Sequence, residues 1–231
     1  MIKKICIWLS VLLFAIGIAA SILFNVNTPR LNATEQQLDV FPIVLSAGEQ
    51  LPEEYMYENL GSIEDMVEES SNIVHVTATD DINIDRTNVY RRVVVNSSYK
   101  GNATGDIYVY EPCYINLHRD AVNNYMLTYG YNLMQPGEEY ILFLRDIEQP
   151  ERDFHYAKTK QNAFLIANGA FGKYMVANAG KTELLDIEKC TAAMDTMYGE
   201  IRNHEYLTYL PEALEQYKEW KATVLQLYKT Q

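Results

Sequence analysis

Catalytic landmarks are what this 231-residue chain lacks. The hydrolase elbow Gly-x-Ser-x-Gly is absent. Gly169-Ala170-Phe171-Gly172-Lys173 approaches a phosphate loop, and also the GxxG clamp of RNA-binding KH domains. Ala167 stands where a Walker motif needs its second glycine. Leu117-His118-Arg119-Asp120 has the form of a kinase catalytic loop, with Tyr125 where the magnesium-holding Asn belongs. Asp81, Asn83 and Asp85 alternate as in a calcium loop. There, Arg86 replaces the required Gly and Arg92 replaces the bidentate Glu, so the stretch reads as a hairpin tip. The four histidines, His75, His118, His155 and His204, have no metal-ligand spacing, and no cofactor or metal is expected. His75 reads as a structural side chain in a strand.

Cysteine is scarce as well. Cys6 lies at the start of an apolar run, too early for a lipoprotein box, and only Cys113 and Cys190 remain beyond it. Exported, that pair could form one disulfide or stay as two thiols. Positive charge is short too: 19 Lys and Arg face 31 Asp and Glu, a formal net charge of -12. Such a surface repels nucleic acid and anionic lipid headgroups. Between Leu31 and Glu69 there is no Lys or Arg at all.

What the chain does have begins at its amino terminus. Lys3 and Lys4 precede an uncharged, mostly apolar run over 5–24, the layout of a signal peptide or a signal anchor. Ala19-Ala20-Ser21 offers a cleavage site, so secretion and membrane anchoring both stay open. With lysines before the run and acids after it, the body is expected outside the cytoplasm. Residues 25–58 mix Pro29, Pro42, Pro52, Gly48 and acids, and read as an acidic stalk. Ser62-Ile63-Glu64-Asp65 is a capping-box pattern for a short helix.

From there the pattern is that of strands. Ile73–Ala78, Val89–Tyr99 and Asp106–Glu111 are β-rich, and Gln135-Pro136-Gly137-Glu138-Glu139 announces the strand Tyr140–Leu144. Tyr140–Leu144 is apolar on both faces, which demands cover on each. Phe164–Ala167 and Lys173–Ala177 around Asn168–Gly172 read as a hairpin. Thr191–Ile201 reads as a modest helix. Ala213, Leu214, Tyr217, Trp220, Val224 and Tyr228 form one stripe of a helix begun by Pro211, suited to close over Tyr140–Leu144.

The Tyr99-Lys100-Gly101 turn, the strand end Tyr108–Pro112 and Pro136–Leu144 occur in an order that resembles the OB-like barrels of the netrin and tissue-inhibitor-of-metalloproteinases type. It is similar, too, to uncharacterised exported proteins of Gram-positive bacteria. The likeness spans 68–177. It implies a five-stranded antiparallel OB-like barrel, placed over 59–185; the excursion over 146–160 and the C-terminal helices lie outside the pattern, and with the helical closure read over 186–231 the expected fold is mainly β with C-terminal helices. The animal inhibitors bind zinc through an amino-terminal cysteine that has no counterpart here, so the resemblance carries no functional residue.

The long connection from Pro112 to Gln135 bears Tyr114, Tyr125, Tyr129 and Tyr131, the expected contact surface for a protein or cell-envelope partner. The favoured reading is a non-catalytic extracytoplasmic binding module. Carboxylates assembled only by folding would make it an envelope-acting hydrolase instead. A large apolar patch would mark a structural or assembly protein.

Overall fold

The computed structural model describes residues 30–31, 38–44, 60–85, 88–116, 125–128, 130–147, 162–177, 181–184 and 196–228. By its contacts the chain divides into Met1–Arg30 and Leu31–Gln231, and the described residues 38–228 lie in the second unit. The apolar run 5–24 and Cys190 lie outside the described residues. Among the described residues no helix is long and apolar enough to cross a membrane.

In chain order the elements are β1 (Ile43–Val44), α1 (Ile63–Glu69), β2 (Asn72–Asp85), β3 (Asn88–Lys100), β4 (Asp106–Asn116), β5 (Tyr125–Thr128), β6 (Glu139–Asp146), β7 (Ala163–Ile166), a 3-10 turn (Gly169–Gly172), β8 (Lys173–Met175), β9 (Lys181–Leu184), α2 (Tyr198–Ile201), β10 (His204–Thr208) and α3 (Pro211–Tyr228). Strands β2, β3, β4, β7 and β6 pair in that order, and β6 pairs back onto β2. The result is a closed five-stranded barrel whose strands run 1-2-3-5-4 around the ring, an order compatible with an OB-like barrel.

The sequence predicts a wholly antiparallel barrel, but the barrel is mixed. The β4–β7 pair is parallel, with Tyr108 opposite Ala163 and Tyr110 opposite Leu165. A parallel pair needs a long crossover, and the whole of β5 and β6 lies within this one.

Residues Tyr140–Leu144 are at most 1 % exposed, so β6 is the core strand its two apolar faces demanded. Tyr140 faces the barrel interior, its ring centre 5.6 Å from Lys173 Nζ. On the opposite face Phe143 meets Tyr174 at 6.1 Å and Tyr228 at 5.9 Å. Helix α3 therefore covers that second face, burying Ala213, Tyr217, Trp220 and Val224 along its stripe.

The segments expected to form a hairpin do not pair with each other. Both pair antiparallel to β6, β7 against Leu144–Asp146 and β8 against Tyr140–Leu142, so they lie in line along one edge. Glycines that looked like a reversal instead form a one-turn detour. Gly172 is required there because a Cβ would come within 2.5 Å of Ile166 Cγ2.

Within 25–58, Leu38–Val44 packs onto the body: Leu38 and Ile43 are fully buried, and Asp39 pairs with Arg202 at 2.9 Å. Of the helix expected over Thr191–Ile201, only the turn Tyr198–Ile201 falls among the described residues as helix. Strand β10, parallel to β9, had no signal strong enough to separate it from the helices around it.

Candidate functional site

Two places gather chemically capable side chains, the barrel interior and one outer face. In the interior, inward-pointing positions of β3 and β4 carry Arg91 and Glu111 among valines and isoleucines. Arg91 Nε donates to Glu111 Oε1 at 3.0 Å, and both side chains are 0 % exposed. Arg91 also donates to the Thr79 carbonyl at 2.6 Å. The other carboxylate oxygen of Glu111 accepts from the Tyr131 hydroxyl at 2.8 Å and from the Met134 amide at 2.7 Å. Both oxygens of this buried carboxylate thus have hydrogen-bond donors.

Lys173, the first residue of β8, enters the same interior. Its ammonium donates to the Asn132 carbonyl and lies 4.1 Å from the centre of the Tyr131 ring. Burial lowers its pKa to about 8, against the opposing pull of Glu111 and Glu205. Burial, and then the Glu111 charge, push the Cys113 thiol well up. Cys113 is a buried free thiol, so it is unsuited to nucleophilic work. Tyr131 and Tyr140 are raised likewise, chiefly by burial.

A second buried carboxylate, Glu205 on β10, joins three elements. It accepts from the Met175 amide at 2.6 Å, from the Tyr217 hydroxyl at 2.8 Å and from the Lys221 ammonium. Among the described residues Glu111 and Glu205 are the carboxylates that folding draws inward, and each accepts from several internal donors. The spacing of neither in sequence signalled this. The one available hint was charged residues at inward positions of strands that are otherwise apolar.

The tyrosines singled out from sequence separate. Tyr131 is 1 % exposed and belongs to the Glu111 network, a structural place the sequence reading did not give it. Tyr114 is 44 % exposed on β4. Tyr125 lies on β5, but its side chain, like the whole of Tyr129, is outside the described residues. Tyr108 and Tyr110 share the outward face of β4 with Tyr114, because Ile107, Val109, Glu111, Cys113 and Ile115 point inward. Tyr90 of β3 sits across from Tyr110, their ring centres 5.2 Å apart, and meets Tyr108 at 6.1 Å. Of these outward tyrosines Tyr90 and Tyr110 are buried, Tyr108 is half-buried and Tyr114 alone is exposed, so the row meets solvent at its Tyr114 end.

His75 takes a surface position and pairs with Glu139 at 3.0 Å. Asp81 is held by Asn83 at 2.7 Å and by Arg92 at 3.2 Å, so these two members of the alternating set serve the β2–β3 hairpin, while the Asp85 side chain lies outside the described residues. Among the described residues no group of three or more His, Cys, Asp or Glu is placed to hold a metal ion. Compared with known protein families, with curated proteins and with solved structures, the chain matches none.

Proposed function

We propose that this chain is a non-catalytic extracytoplasmic binding module, carried to the cell envelope by its 5–24 segment, that engages a protein or cell-envelope partner on the outer face of β3 and β4. The observation that carries the reading is Tyr114, the exposed end of a tyrosine row on a closed barrel. The interior supports it indirectly. Arg91, Glu111, Tyr131 and Lys173 fill and satisfy one another there, which leaves the outer surface for recognition. A tyrosine offers a large apolar ring and a hydrogen-bonding tip at little entropic cost, which suits such a contact.

Kinship with the netrin type of OB-like barrel is part of the same proposal. The strand order supports it, as does the place of its motifs. Gly101 and Gly137 sit at turns with positive φ, and Pro112 lies within β4.

The test is position-specific. A photo-crosslinking amino acid replaces Tyr114 in one strain and Glu139, exposed on another strand, in a second. The expected result is a discrete adduct in intact cells from position 114 alone, together with protease sensitivity of the body from outside the cytoplasm. Equal or absent crosslinking at the two positions overturns the binding face. Protection from external protease overturns the location.

A further inference from the structure

Strand β1 is the end of a longer strap, Leu38–Val44, that is held along both of its edges. On one edge it runs parallel to β5, with Ile43 opposite Met126 and Val44 opposite Leu127. On the other it meets the start of α2. The Ile43 amide donates to the Thr196 carbonyl at 2.9 Å, the Tyr198 amide to the Phe41 carbonyl at 2.8 Å, and the Gly199 amide to the Asp39 carbonyl at 3.1 Å. Side chains add to these bonds. Leu38 and Ile43 are fully buried, and one nitrogen of Arg202 reaches both Asp39 oxygens, at 2.9 and 3.2 Å. Gly199 permits the close approach, since a Cβ there would come within 3.0 Å of Asp39 Cβ.

Strand β5 needs such a neighbour. It is four residues long, and on its other side it pairs only with Cys113–Asn116 of β4. Paired on that side alone, it would be a short edge strand with little to hold it. The strap gives it a second partner. The register then runs unbroken across three strands, from Val44 through Leu127 to Tyr114.

We propose that the strap Leu38–Val44 is a positioning element of the recognition face: by turning β5 from an edge strand into a central one, it fixes the surface beside Tyr114 that a partner meets. The inference rests on the Tyr114 reading given above. It assigns Ile43, Asp39 and Gly199 a part in recognition although none of them lies on β3 or β4.

The test uses the full chain, with residue-resolved hydrogen exchange and the photo-crosslinking amino acid at position 114. Ile43→Ala empties a buried place in the strap, and Gly199→Val crowds Asp39 from the opposite side. In each variant the Tyr198 amide, the donor to Phe41, is expected to exchange at least about tenfold faster. The amides of Tyr125–Thr128 are expected to follow it. The Val176 amide, which donates to the Glu139 carbonyl inside the barrel, should change far less. Adduct yield from position 114 should fall severalfold, and Ile43→Val, which keeps a buried β-branched side chain, should restore both exchange and yield. A strap that opens while Tyr125–Thr128 keep their protection overturns the proposal, and so does an opened strap with undiminished adduct. Unchanged Tyr198 exchange in both variants overturns it as well. If Ile43→Ala does not fold, Gly199→Val carries the same measurements. A parent chain that gives no adduct at position 114 sinks the Tyr114 reading, whereas the hold of the strap on β5 is decided by exchange alone.

Discussion

Arg91 of β3 and Glu111 of β4, diagonal neighbours on the inward face of the ladder, form a fully buried ion pair, 3.0 Å from Nε to Oε1. Its members are not equivalent. Glu111 has two further donors, the Tyr131 hydroxyl and the Met134 amide, and through them it organises the segment that leads into β6. Removing either partner leaves an uncompensated charge in a dry interior. Glu111→Ala and Arg91→Ala are each expected to lower the free energy of unfolding by about 3–5 kcal/mol. The double replacement Arg91→Met with Glu111→Leu should cost clearly less than the two single losses combined, since no charge is then left unpaired. Urea unfolding of the three variants measures this directly.

Lys173 sets the alkaline side of the stability profile. Its pKa falls from 10.5 to about 8 in the folded chain, a penalty of roughly 3 kcal/mol for keeping the ammonium buried. Below about pH 8 the lysine is protonated in both states, and the penalty is constant. Between about pH 8 and 10.5 the unfolded chain binds more protons, so this term makes the fold more stable as pH rises. The Cys113 thiol and Tyr131, Tyr140, Tyr174 and Tyr217 act oppositely, because burial first of all raises their pKa values. Their contribution is intact below about pH 9 for the thiol and about pH 10 for the tyrosines, and is lost above that. Unfolding midpoints taken from pH 7 to 11 should therefore rise and then fall. Lys173→Met should abolish the rise and leave the fall.

Gly101 and Gly137 make a matched pair. Both have φ near +80°, yet their surroundings differ. A Cβ at Gly101 would come within 2.2 Å of Asn72 Oδ1 and 2.5 Å of the Ser71 carbonyl oxygen, whereas at Gly137 it meets nothing within 4 Å. Asn72 Oδ1 also accepts from the Asn102 and Ala103 amides at 3.0 Å each, so it cannot simply move aside. Gly137→Ala should cost only the conformational term, about 1–2 kcal/mol. Gly101→Ala should cost distinctly more, and thermal unfolding of the two side by side gives the difference.

These turns belong to the part of the fold that local sequence reveals. Gly101, Pro136-Gly137 and the capping box at Ser62 each act within a few residues. The box is present as read: Asp65 N donates to Ser62 Oγ at 3.1 Å, and Ser62 N to Asp65 Oδ2 at 2.9 Å. Core strand β6 and the stripe of α3 were legible for the same reason, since period fixes which side chains share a face. The parallel β4–β7 pair was not, because pairing across a crossover leaves no local mark. Nor was the interior network: Glu111 and Tyr131 lie 20 residues apart, and Tyr217 and Lys173 lie 44 apart. Tyr114 and Tyr131 illustrate the limit at the candidate site. Composition treats them alike, and only the pleat of β4 and the return of the chain beneath it separate an exposed ring from a buried one.

Asn132 offers the sharpest single-atom test of the C-terminal closure. Its side-chain amide lies 2.8 Å from the Ile201 carbonyl, 2.6 Å from the His204 carbonyl and 3.3 Å from that of Arg202, while its Oδ1 accepts from the Leu133 amide. One NH2 group thus gathers the carbonyls of the turn between α2 and β10 and ties them to the residue next to Tyr131. Asn132→Ala loses these bonds and leaves buried carbonyls unpaired, at a cost of about 1–3 kcal/mol. Asn132→Asp is nearly the same shape, but puts an acceptor where the donor was. As a carboxylate it would face carbonyl oxygens within hydrogen-bonding distance, so at neutral pH it should destabilise more than Asn132→Ala. Protonation would give it one O–H to donate, and the difference between the two variants should narrow as pH is lowered. Unfolding midpoints at pH 7 and pH 4 compare them, and an Asn132→Asp chain as stable as its parent at neutral pH would show that this amide does not hold the turn.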